Sequence, residues 1–117
     1  MKYVEIKDEA VQILAGIGGR FMSAYQICQH LKRDYPELWD SLVAAYPSTD
    51  AGKPMGQGAG MYYSPATFVA QALANFVKNG SVPGLRHEVF SCEGVEFSGI
   101  KPGYTGNEIG IFALQNP

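Results

Sequence analysis

The stretch Ser64–Gly80, SPATFVAQALANFVKNG, spells a start, a stripe and a stop for one helix, around which the other elements must pack. Ser64 carries a side-chain oxygen able to accept from a free N–H of the first turn. Pro65 suits the first helical position because its missing N–H would find no partner there. Phe68, Val69, Ala72, Leu73, Phe76 and Val77 recur at helical spacing, and Asn79-Gly80 offers a left-handed stop. The spacing therefore predicts a helix over residues 65–78 with that apolar side inward. Ala66, Thr67, Ala70, Gln71, Ala74, Asn75 and Lys78 are expected to point outward.

Three further helices are expected upstream. Ile6, Ala10, Ile13, Leu14 and Ile17 form one stripe, with Asp8 and Glu9 where carboxylates complement the dipole of a first turn. Gly16, Gly18 and Gly19 stop it. Arg20-Phe21-Met22 reads as a strand of bridge length. Ser23-Ala24-Tyr25-Gln26 then fits a capping box, in which the serine oxygen accepts from the backbone and the glutamine side chain reaches back. Ala24, Ile27, Cys28 and Leu31 make the buried side of this second helix, and Pro36 limits it because the residue before proline avoids the helical region. Pro36 also suits the start of a third helix, residues 36–46, with Leu38, Trp39, Leu42, Val43 and Tyr46 as its stripe.

Downstream the period changes from helical to alternating. Leu85–Phe90 and Val95–Phe97 alternate, the segment 101–107 is rich in turn formers, and Ile109–Leu114 closes the chain as a strand. Two or three antiparallel strands with a wing are expected. The fold class is accordingly α+β, with three to four helices followed by a small antiparallel sheet. The 117 residues suit a single domain, 1–117, containing an internal Gly/Pro-rich loop at residues 47–61.

Composition narrows the function classes. Apolar residues at 46% and charged residues at 17% describe an ordinary globular chain. No apolar run approaches the ~20 residues of a membrane span, and Lys7, Asp8 and Glu9 stand where a signal peptide would be apolar, which points to the cytoplasm. Cys28 and Cys92 read as reduced structural thiols. The net charge of −2 is uneven: from Ala51 to His87 there is no Asp or Glu, while Lys53, Lys78 and Arg86 are present. A polyanion would meet least repulsion along that span.

Motifs that carry site chemistry are sparse. Gly56-Gln57-Gly58-Ala59-Gly60 lacks the Lys-Ser/Thr of a phosphate loop and the distant acid of a dinucleotide site, so no cofactor is expected. His30 and His87 accompany no ligand spacing, so no metal is expected and both read as surface histidines. Ser64 is accounted for as a cap and Cys28 as an apolar residue, so no catalytic residue is assigned and the chain is not read as an enzyme. Tyr62-Tyr63 could touch a sugar-phosphate backbone or wedge the helix that follows. Gln71 and Asn75, one turn apart, carry amides of the kind that pair with adenine, between alanines small enough to let a helix deep into a groove. The same residues equally make a solvated face.

By element order the chain resembles the winged helix-turn-helix family over nearly its whole length. Ser23–Arg33 matches the positioning helix and Ser64–Lys78 the recognition helix, although helix 36–46 and the loop to Met61 separate two helices that the family usually joins by a few residues. The resemblance implies binding of double-stranded DNA by a transcriptional regulator. Helix 65–78 would enter the major groove through Thr67, Gln71 and Asn75, Tyr63 would reach the backbone, and Lys53, Lys78, Arg86 and Lys101 would lie on phosphates. It also implies a homodimer with two half-sites. The competing expectation is a protein-protein interaction module on the same scaffold, such as a small mobile-element-encoded inhibitor or adaptor. Mild acidity and the aromatics Trp39, Tyr62, Tyr63 and Tyr104 suit that class.

Overall fold

A computed structural model of the chain describes residues 1–47, 64–95 and 108–115. A 3-10 turn at Tyr3–Ile6 runs into α1 (Lys7–Ala15), followed by β1 (Met22–Ser23), α2 (Ala24–Asp34), α3 (Pro36–Ala45), α4 (Pro65–Asn79), β2 (Leu85–Ser91) and β3 (Glu108–Leu114). The strands form one antiparallel sheet in the order β1-β3-β2. Among the described residues the fold is α+β, four α-helices and a small sheet, an arrangement compatible with a winged helix.

Local chemistry accounts for most boundaries. Gly18 and Gly19 end the first helical segment at φ 65° and 84°, a region that costs an L side chain about 1–2 kcal/mol. The capping box of α2 is complete: Ser23 Oγ accepts from the Gln26 N–H at 3.2 Å, and Gln26 Oε1 accepts from the Ser23 N–H at 2.8 Å. Ser64 Oγ accepts from the Thr67 N–H at 3.3 Å, and Gly80 closes α4 at φ 69°. The short strand predicted at residues 20–22 sits slightly later, at Met22–Ser23, because it is β3 that selects the pairing residues, Met22 with Phe112 and Ser23 with Ile111.

The core gathers Ile6, Ala10 and Leu14 from the N-terminal segment, Ile27, Cys28 and Leu31 from α2, Leu42 from α3, Phe68, Val69, Ala72, Leu73 and Phe76 from α4, and Phe112 from β3. Burying each large side chain stabilises by about 1.5–3 kcal/mol. Phe68 is stacked by Tyr46 at 4.7 Å and 20° and flanked by Tyr3 at 5.3 Å, which ties the end of α3 and the N-terminus to α4. The third helix is less buried than its stripe suggests. Leu42 alone is fully enclosed, Leu38 and Trp39 are half-buried, and Val43 is 40% exposed, since α3 packs mainly on α2.

Candidate functional site

The outward face of α4 is narrower than its periodicity predicts. Gln71 is exposed as expected, and its Oε1 accepts from the Tyr3 hydroxyl at 3.3 Å. Thr67 and Asn75 are only half-exposed: the Thr67 hydroxyl lies 3.2 Å from Ser64 Oγ, and Asn75 Oδ1 accepts from Asn79 Nδ2 at 3.2 Å. Ala66, expected outward, is buried in the core cluster, whereas Val77, expected inward, is 36% exposed. The reason lies in the neighbours. α2, the N-terminal 3-10 turn and β2 all pack against α4, whereas a hydrophobic stripe registers only a single packing direction.

Lys78 and Arg86 are exposed, and Arg86 lies 4.0 Å from the Glu88 carboxylate. Lys53, Tyr63 and Lys101 lie outside the described residues, as do nearly all of the predicted loop 47–61, the Val95–Phe97 strand beyond Val95, and Tyr104. The described structure therefore brings Thr67, Gln71, Asn75 and Lys78 together on α4, with Arg86 on the neighbouring strand.

Between α4 and the hairpin opens a groove of about 280 Å³, lined by Ala70, Gln71 and Ala74 on the helix and by His87, Val89, Glu108, Gly110 and Phe112 on the strands. Register decides its floor. His87 faces Phe112 and Val89 faces Gly110 across the ladder, so the groove side of the hairpin alternates with the side bearing Arg86, Glu88 and Phe90. The His87 imidazole lies flat on the Phe112 ring, and a Cβ on Gly110 would stand 3.0 Å from His87 Nε2, so glycine leaves room for the ring. His87 is at the surface as predicted, yet it is a wall of this groove. The alternation of Leu85, His87 and Val89 signals a shared face; the partners opposite them could not be read without the register.

The electrostatics of the hairpin are acidic. Among the described residues it carries Arg86 against Glu88, Glu93 and Glu108, and its exposed apolar side chains include Val89 at 55%, Phe90 at 57% and Val95 at 42%. Cys28 and Cys92 are both buried and unbridged, and burial pushes the Cys28 thiol up from 9.0 to about 12. Among the described residues no cluster of His, Cys, Asp and Glu could hold a metal ion, and no helix is long and apolar enough to cross a membrane. No family model, curated protein or solved structure matches this chain.

Proposed function

We propose that this chain is a protein-interaction module that receives a peptide segment of a partner protein in the groove between α4 and the β2–β3 hairpin. The observation that carries this reading is the lining of that groove: the alanines 70 and 74, Val89 and the His87–Phe112 stack form an apolar floor, and Glu108 stands at its edge. Apolar floors with a polar rim suit protein partners, in which one anchoring side chain is desolvated and the rim selects its neighbours. The complementary segment carries an apolar or aromatic anchor beside Lys or Arg, whose charge meets Glu108. An inhibitor or adaptor acts through a surface of this kind.

DNA reading by α4 is the second interpretation, favoured by the exposed amide of Gln71 and by the placement of α4 beside a hairpin. It ranks second because phosphate contacts dominate duplex affinity, and the described hairpin offers one arginine against three glutamates.

Two measurements on the full chain separate the readings. Selection from a random displayed-peptide library should enrich an apolar anchor next to a basic residue, and the enriched peptide should lose binding to Ala74→Arg, which fills the groove with a side chain of the wrong size and charge. Random duplex DNA at low ionic strength should not be retained. Retention of duplex that weakens steeply with added salt, together with failure to enrich any peptide, would replace the first interpretation by the second.

A further inference from the structure

Strand β2 is at the rim of the sheet: among the described residues β3 lies on one side of it and no strand on the other. Gly84 accepts from the Gln115 N–H at 2.8 Å, and Leu85 is in register with Leu114, so residues 84, 86, 88 and 90 direct their backbone groups at β3. By the same alternation Leu85, His87, Val89 and Ser91 direct theirs away from it. The Leu85 N–H is taken by the Val82 carbonyl at 3.2 Å, which leaves the His87 and Val89 amides facing outward beside side chains that are themselves exposed. A free edge of this kind is a template for another strand.

We infer that the occupant of this edge is β2 of a second copy, joined antiparallel about a two-fold axis at His87. Only registers that oppose outward-facing residues can form hydrogen bonds, and charge chooses among them. An axis at Arg86 would set arginine against arginine, one at Glu88 glutamate against glutamate, and one at Val89 would leave both charges unmatched. The axis at His87 sets Arg86 of each copy directly against Glu88 of the other, twice, on the side of the sheet away from α4. It also lays Phe90 over Gly84 of the other copy, where an aromatic ring covers a backbone that has no side chain of its own. The His87 N–H and C=O exchange bonds with their symmetry mates, and the Val89 N–H reaches the Leu85 carbonyl. Charges on an edge strand ordinarily deter such pairing. Here the two signs stand two residues apart, 4.0 Å from each other within one chain, so the deterrent is self-complementary.

This dimer does not rest on the peptide reading, because Arg86 and Glu88 lie on the opposite side of the hairpin from the groove. The test is sedimentation velocity over a concentration series for the full-length wild type, Arg86→Glu, Glu88→Arg and the double exchange. Both positions are exposed, so all four proteins should share one far-UV spectrum and, at concentrations low enough to keep each monomeric, one Tm. The wild type should dimerise, each single reversal should raise the dimer dissociation constant by about tenfold, and the double exchange should restore it. A wild type that stays monomeric throughout, or a double exchange as weak as the singles, overturns the inference.

Discussion

The imidazole of His87 stacks on the ring of Phe112, centroids 4.5 Å apart and planes 16° apart, directly across the β2–β3 ladder. The pairing pattern explains the closeness. His87 and Phe112 form a pair without mutual backbone hydrogen bonds, the kind in which Cα atoms approach to about 4.5 Å and side chains meet. Gly110 beside them keeps the space open, so the shape of the groove depends on one missing Cβ.

Gly110→Ala should therefore move His87 without unfolding the hairpin. The new Cβ would meet Nε2 at 3.0 Å, and the end of a side chain yields more readily than the backbone. The expected sign is a loss of the ring-current shift that Phe112 imposes on the His87 ring protons, with unchanged amide shifts in α2. Retention of that shift in the variant would mean that the glycine does not set the ring position.

The two serine caps should be separately measurable. Ser23 and Ser64 are 1% and 2% exposed, and each accepts from a backbone N–H that has no other route to an acceptor inside the first turn. Ser23→Ala and Ser64→Ala should each cost about 1 kcal/mol and lower Tm by about 4–6 °C. Because the caps serve different helices, the double variant should be close to additive in thermal unfolding.

Cys28 gives the chain an alkaline liability. Burial pushes its thiol up from the ordinary value of 9.0 to about 12, so the native state holds the proton more tightly than the unfolded chain does. The resulting stability is fully present below the ordinary thiol value and declines as pH rises through the window up to about 12. Denaturant unfolding on either side of pH 9 should show this decline in the wild type and a shallower one in Cys28→Ala. Alkylation of the native protein at neutral pH should leave Cys28 unmodified.

Replacing Gln71 and Asn75 together by alanine should leave the fold intact. The change removes the hydrogen bonds donated by Tyr3 and by Asn79, both at the surface, and offsets part of their loss with better helix propensity. A change of stability beyond about 1 kcal/mol in chemical denaturation would assign these amides to the core rather than to a surface. In the peptide interpretation the same variant weakens a selected peptide through Gln71, which lines the groove.

Short-range signals explain how much of the architecture was readable from the residues in order. Ser23 with Gln26, Pro36, Ser64-Pro65 and Gly80 act within one turn of themselves, so the bounds of α2, α3 and α4 follow from local hydrogen bonds and allowed backbone angles. The α+β class followed from the switch of period after Gly80.

What each surface faces came from long-range packing. Ala66 is buried and Val77 is 36% exposed, against their expected sides, because α4 packs against α2, the N-terminal 3-10 turn and β2 together, and periodicity carries no term for more than one neighbour. His87, Gly110 and Phe112 are far apart in sequence or paired only through register, so the groove they shape with Ala70 and Ala74 arises from long-range pairing. Where helices begin and end is written in the order of residues, since those are contests between neighbouring atoms. Which residues share a floor, and which strand of the described sheet lies outermost, were settled only when strands chose partners across the fold.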